Sequence, residues 1–286
     1  MPATDTINVA VLLTCHNRRE ETLKCLRELY AQRLTGGVRL AVFLTDDGSS
    51  DGTAEAVARA YPAVQIVSGD GTLYWCKGMR VAWERALGTG RFDYFLWLNN
   101  DTHLHYDALA SLLAASRENS GIIVGSCQDP ESGRWTYGGR ATPGGGKDLQ
   151  SKPVEPFDLA QSCQLMNGNI VLVPNRVVKS IGILSAAFTH ALGDFDYGFR
   201  AMDAGFVLTV PPRYQAFCSR NPLPAWCDPA TPFLVRLSLF NAPKGIHFSE
   251  YMTFCFRHFG PKAVWIGIKA VLRVIVPSLW LRKNDV

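Results

Sequence analysis

Three short polar clusters interrupt a largely apolar chain, and each carries side chains able to do chemistry. Asp46 and Asp47 lead into Gly48-Ser49-Ser50-Asp51-Gly52-Thr53. Where a buried strand meets such a Gly-Ser turn, carboxylates can point into a cleft while the N–H groups of the turn stay free for ligand atoms. A carboxylate there can accept the imide N–H of uracil or thymine, or a ribose hydroxyl; an ordinary Asp-Gly turn with a helix N-cap is the competing reading. The second cluster, Asn99-Asn100-Asp101, follows the apolar run Tyr94 to Leu98. Hard oxygen ligands at that point suit Mg2+ or Mn2+, which bind through one or two carboxylates together with diphosphate oxygens and water. Asp101 is the direct ligand expected, and its two amide neighbours make a low-charge site that needs the nucleotide to hold a metal tightly. In the third cluster, Gly193-Asp194-Phe195-Asp196-Tyr197, Asp194 stands where it can N-cap a helix running through Arg200 to Ala204.

Positioning these clusters requires alternating strands and helices. Ile7 to Thr14, Val38 to Thr45, Val64 to Val67 and Tyr94 to Leu98 are apolar runs of strand length. Between them, Leu23, Leu26, Leu29 and Tyr30 form one helical stripe before Gly36-Gly37, and Ala54, Val57, Ala58 and Tyr61 a second before Pro62. Asn17 and Glu20 suggest a capping box for the first helix, and Trp75 to Leu87 reads as a third. This alternation predicts an α/β fold with a mainly parallel sheet flanked by helices, its ligands beyond the carboxyl ends of the strands. Gly138 to Lys147 reads as a Gly-rich loop, Ile170 to Val173 and Phe206 to Val210 as strands, and Gly205 as a helix C-cap.

Apolar residues make up 47% and charged residues 19%, as in a folded protein, and the formal charge is +4. Lys and Arg form no stripe in the first 250 residues, which argues against nucleic acid as a partner. The eight cysteines include no Cys-x-x-Cys pair, so reduced thiols are expected rather than a zinc site or a disulfide framework. The segment Met1 to Thr14 lacks the basic start and long apolar core of a signal peptide, which gives a cytoplasmic expectation. From Ala263 onward the composition turns to Val, Ile, Leu and Trp, with Lys269, Arg273, Arg282 and Lys283 between them and Pro277 breaking the run. A spanning helix fits this poorly. Residues 263–283, with Trp265 and Trp280, suit a helix at the inner face of a membrane; a helix docked on the domain is the alternative.

Taken together, Thr14 to Asn17, the Asp46 to Thr53 run, Asn99-Asn100-Asp101 and Gly193 to Arg200 resemble the inverting family 2 glycosyltransferases of GT-A fold. The similarity covers roughly residues 7 to 215. It implies a Rossmann-like GT-A domain over residues 1–220 and a C-terminal helical extension over 221–286. Within that family the strand-two aspartates bind base and ribose, so Asp46 or Asp47 is expected to read the base, with Thr14, His16, Asn17 and Asn100 also on the nucleotide side. A divalent metal, Mn2+ or Mg2+, is expected on Asp101. The resemblance places the catalytic carboxylate at Asp194 and assigns Asn167, Asp196 and Arg200 to the donor sugar or the acceptor, with orientation of Arg200 the alternative role for Asp196.

Asn99-Asn100-Asp101 replaces the family's Asp-any-Asp, and together with Gly71-Thr72-Leu73-Tyr74-Trp75 and Gly78-Met79 it is similar to the rhamnosyltransferase-like branch. In that branch the aromatic segment, here Trp75, lies near the donor. A dTDP- or UDP-linked sugar donor and a glycan or lipid-linked acceptor are the implied partners. Many relatives carry a metal-binding His after the last core strand, whereas Tyr214 to Ser219 has none and Cys218 stands near that place. A non-catalytic nucleotide-sugar-binding module is an alternative. A nucleotidyltransferase would want a Gly-rich phosphate loop, which Thr14 to Arg19 lacks.

Overall fold

A strand with an unbroken apolar run, Val9 to Leu13, needs cover on both of its faces, and β1 (Ile7–Cys15) has it. Ala10 and Leu12 enter one core cluster, while Val9, Val11 and Leu13 enter another on the opposite side. The computed structural model describes residues 6–34, 37–222 and 224–278. Gly36, at the expected end of the first helix, and Trp280, Arg282 and Lys283 of the C-terminal segment lie outside the described residues.

After β1 come α1 (Arg19–Tyr30), β2 (Val38–Asp46), α2 (Thr53–Ala60), β3 (Gln65–Ser68), α3 (Tyr74–Thr89) and β4 (Tyr94–Leu98). The middle of the chain adds β5 (His103–Leu104), α4 (Ala108–Glu118), β6 (Ile122–Val124), β7 (Cys127–Gln128), β8 (Trp135–Tyr137) and β9 (Gly139–Ala141). Then follow β10 (Lys152–Pro153), β11 (Gln161–Cys163), β12 (Leu165–Met166), β13 (Ile170–Pro174), α5 (Asn175–Ile181) and α6 (Gly193–Asp203). The last elements are β14 (Leu208–Val210), β15 (Ala216–Phe217), α7 (Phe233–Asn241), α8 (Phe248–Phe259) and α9 (Lys262–Ile275).

Eight strands form the central sheet in the order β11-β14-β6-β13-β4-β1-β2-β3, with β13 and β11 running against the other six. Helices α1, α2 and α4 cover one face; α3, α5 and α6 cover the other. The same alternation recurs in β4, where Phe95 and Trp97 enter one core and Leu96 and Leu98 the other. The extension does not stand apart. Phe254 and Cys255 of α8 and Ala263 and Ala270 of α9 join the core cluster that holds Trp83 and Tyr197, and Phe254 stacks on Phe199 of α6 at 5.9 Å.

Two local expectations are corrected. No capping box forms at α1: Asn17 has a φ of 52°, its side-chain oxygen accepts the Ser50 N–H, and Glu20 pairs with Arg19. Instead, Asp51 reaches across from the neighbouring turn to accept the Arg19 N–H at 3.0 Å. The stretch Gly138 to Lys147 is not wholly loop, because β9 lies within it and pairs with both β10 and β12. At the other end of α6, Gly205 caps as expected. With φ of 82° it donates to the Met202 carbonyl while Phe206 donates to the Ala201 carbonyl, a Schellman motif.

Candidate active site

Both strand-two aspartates are buried, yet they are used differently. Asp47 accepts three backbone N–H groups, from Gly71 at 2.9 Å, Leu73 at 3.2 Å and Tyr74 at 2.8 Å, and so ties the end of β2 to the start of α3. Asp46 accepts only the Ser49 N–H, at 2.9 Å through Oδ1. That turn requires Gly48: its φ is 69°, and a Cβ there would lie 2.9 Å from the Gly71 nitrogen. His16 donates from Nδ1 to the Asp47 carbonyl at 2.6 Å, and Asn17 donates from Nδ2 to His16 Nε2 at 3.1 Å, which fixes the tautomer. Both side chains are exposed at the cleft edge. Thr14 lies beneath α3, against Gly78, where a Cβ would come within 2.3 Å of Thr14 Oγ1.

Beyond β4 the triplet divides. Asn99 accepts the indole N–H of Trp75 at 2.7 Å, and the buried Asn100 donates to Thr22 Oγ1 at 3.0 Å. Asp101 remains partly exposed and pairs with Arg18. The small strands explain what faces it. Pairing of β15 with β5 sets Phe217 opposite His103, which brings Cys218 beside Asp101. Burial pushes the Cys218 thiol up to about 12, and Asp101 adds to that shift. Arg18, Asp101, Cys218, Ser219 and Arg220 line a cavity of about 290 Å³.

Asp194 opens α6. Its carboxylate accepts the N–H groups of Phe195 at 2.9 Å and Gly168 at 3.2 Å, and desolvation raises it to about 6 against these hydrogen bonds. The residue before Gly193, Leu192, sits at φ 68°, in the left-handed region that a β-carbon disfavours. Gly168 presses on Trp75, since a Cβ there would stand 2.3 Å from the indole ring. Asp194, Gly168, Trp75 and Asn99 thus form one continuous wall that ends next to Asp101. Asn167, adjacent to Gly168, donates its backbone N–H to the Gly138 carbonyl.

Asp196, two residues on, is turned away from this wall and has no exposed surface. Burial alone would raise its carboxyl, but hydrogen bonds from His258, Arg200 and Arg257 hold it below the usual range. The distances are 2.9 Å to Arg200 Nε, 2.7 Å to Arg257 Nη1 and 2.9 Å to His258 Nε2. Arg200 also donates to the Ile181 and Ile183 carbonyls. Asp196 therefore orients Arg200 and, through Arg257 and His258, ties α6 to the extension.

The structure gathers Asp46, Asp101, Trp75, Asn167 and Asp194 at one edge of the sheet, buries Asp196 and leaves Arg200 partly exposed beside it. Asn99 was expected in the site as part of its triplet, whereas Arg18, Gly168, Arg257 and His258 were missed from sequence. For Arg18 the signal was its place directly after His16-Asn17; Arg257 and His258 gave none, being 61 and 62 residues from Asp196.

A divalent ion fits this donor set in one way. Among the described residues no three His, Cys, Asp or Glu side chains converge on one point. Asp101 is nonetheless a partly exposed carboxylate, and Mg2+ or Mn2+ typically takes one or two carboxylates and completes its shell with phosphate oxygens and water. The ion and Arg18 would compete for the same carboxylate.

Residues 10–171 match the family described as Glycosyl transferase family 2. No curated protein sequence matches the chain. Among solved structures, the fold is similar to that of the mannosyltransferase PcManGT from Pyrobaculum calidifontis, solved in complex with GDP-Man and Mn2+. The TM-score is 0.56 at 15% identity, over 98% of this chain and 80% of that one, a likeness of GT-A fold.

Proposed function

The chain belongs to glycosyl transferase family 2 and is a glycosyltransferase, and from that premise we propose that it inverts the configuration of the sugar it transfers. The donor is a dTDP- or UDP-linked sugar, rhamnose or another deoxyhexose, and the acceptor a hydroxyl of a cell-surface glycan or a lipid-linked acceptor. The enzyme works in the cytoplasm, peripherally at the inner face of the membrane.

Asp194 carries this reading. A carboxyl near 6 is ionised at neutral pH yet basic enough to take a proton, and two backbone N–H groups aim it. It removes the proton of the acceptor hydroxyl as that oxygen attacks the anomeric carbon. The bond to the diphosphate breaks on the opposite side, and the nucleoside diphosphate departs. Asp46 offers a lightly used carboxylate to the base or ribose, because Asp47 already accepts three N–H groups from the turn that leads into α3. His16, Asn17 and Asn100 frame the nucleotide side, and Trp75 and Asn167 flank the sugar. When bound, Mn2+ or Mg2+ would be held by Asp101 and would offset diphosphate charge; the similar mannosyltransferase fold, solved with GDP-Man and Mn2+, supports a nucleotide sugar with a metal.

The test is a panel of dTDP-, UDP- and GDP-linked sugars incubated with Mn2+ and a hydroxyl acceptor, with the anomeric configuration of the product read by NMR. Inverted product from a dTDP- or UDP-deoxyhexose is the expected result. Retention of configuration, or turnover of GDP-mannose alone, would sink the proposal.

A further inference from the structure

Docking on a domain requires one apolar stripe of a helix, and α9 has two. Ala263, Gly267, Ala270 and Val274 are buried, whereas Val264, Trp265, Ile268, Leu272 and Ile275 are exposed, Trp265 by 58%. At 3.6 residues per turn the outward set fills an arc of about 100°. Lys262, Lys269 and Arg273 border that arc on one side, and Lys269 Nζ stands 5.4 Å from the Trp265 ring centroid. Beside it, α7 exposes Phe233, Leu234 and Leu237, Leu234 by 76%. Arg236 joins the two helices, donating from Nε to the Val274 carbonyl at 3.1 Å.

Charge selects the occupant. Residues 229–278 hold six Lys and Arg against a single acid, Glu250, and with Arg236 buried and Arg257 paired with Asp196 the cations at the edge of the apolar face are Lys262, Lys269 and Arg273; residues 1–228 hold more acids than bases. Glu250 is spent on Thr189, accepting its N–H at 2.9 Å and its hydroxyl at 2.7 Å. Apolar residues and a tryptophan rimmed by cations match the boundary between acyl chains and anionic headgroups. The α9 helix has 14 residues, roughly 21 Å, against a hydrocarbon core of about 30 Å, and no helix among the described residues is long and apolar enough to cross a membrane. It therefore lies along the surface.

We propose that α7 and the outward face of α9 form one docking surface for an anionic lipid bilayer. The surface rests on the transferase reading above for its purpose, since it would hold the cleft near a lipid-linked acceptor. Full-length protein is sedimented with vesicles of phosphatidylcholine alone and of phosphatidylcholine mixed with phosphatidylglycerol. Binding to the anionic vesicles should be at least about tenfold tighter and should weaken with salt. Trp265→Glu combined with Ile268→Glu should cut it at least about tenfold, Leu234→Ser about threefold, and Lys269→Glu should reduce the anionic preference, all with unchanged thermal unfolding. Equal binding to both vesicle types, binding to neither, or loss in the variants of a dimer instead of vesicle binding would each overturn the proposal. Donor affinity, measured by calorimetry on the same preparations, separates this outcome from failure of the transferase reading.

Discussion

At the end of β2, buried carboxylates are met by main-chain dipoles; on α6, the buried one is met by side chains from the far end of the chain. Asp47 draws on Gly71, Leu73 and Tyr74, all within 27 residues, whereas Asp196 draws on Arg257 and His258, 61 and 62 residues away. The strand side is complete once β2 and α3 have met. The α6 side is complete only when α8 has docked. Within α6 the contrast narrows to two residues: Asp194, held by N–H groups alone, is raised to about 6, while Asp196, with Arg200, Arg257 and His258 around it, is lowered. Within α6, charged partners make Asp196 a structural carboxylate, and their absence leaves Asp194 the more basic one.

The strongest way to break this comparison is Asp194→Ala. Turnover should fall about 10³-fold while calorimetric donor affinity is kept, because the strand side is untouched; a parallel loss of both would mean that Asp194 holds structure rather than moves a proton. Next comes Asp196→Ala, which leaves Arg200, Arg257 and His258 without their shared acceptor and should lower the unfolding free energy in urea by about 3–5 kcal/mol. The sign with pH follows from its lowered carboxyl: the stabilisation is present at neutral pH and is lost as pH falls through that lowered value, so the variant's stability should vary less in acid.

On the strand side, Asp47→Asn turns an amide NH2 toward backbone N–H groups and should cost about 2–3 kcal/mol by the same measurement, along with weaker nucleotide binding. Gly168→Ala sharpens the join between the two sides. Its Cβ would sit 2.3 Å from the Trp75 ring, so the ring must move, with an expected loss of about 1–3 kcal/mol and a shift in tryptophan fluorescence. The gentlest probe is pH itself: kcat should decline as pH drops through about 6, the value to which Asp194 is raised, and Asp194→Glu should shift that inflection.

Legibility in the sequence followed local physics. Strands β1, β2 and β4 could be read because both faces are buried and their apolar runs are nearly unbroken, and the polar clusters at their ends followed from where those runs stop. The start of α6 and its Gly205 cap were also local. By contrast, β6 has only three residues, Ile122 to Val124, too few for any periodicity, although it sits inside the central sheet. The capping box at Asn17 failed because the turn after β2 took that side chain first, a competition between segments that no single window displays. The spacing of Asp196 and Arg200, four residues apart on α6, made their mutual ion pair legible, but not the Arg257 and His258 that complete it from the far end of the chain.

What the sequence by itself determined was the alternation of strands and helices from β1 to β4, the family, and the chemical kinds of side chain at the strand ends, since these depend on composition and spacing over a few residues. Tertiary structure alone decided which carboxylate remains free. Asp46 and Asp47 are neighbours of identical type, as Asp194 and Asp196 nearly are, and only the groups folded against each one separate an available acceptor or base from a structural anchor. The physical reason is that the ionisation and reach of a carboxylate are set by the donors and the solvent within a few ångströms of it, and those donors come from loops and helices far away in the chain.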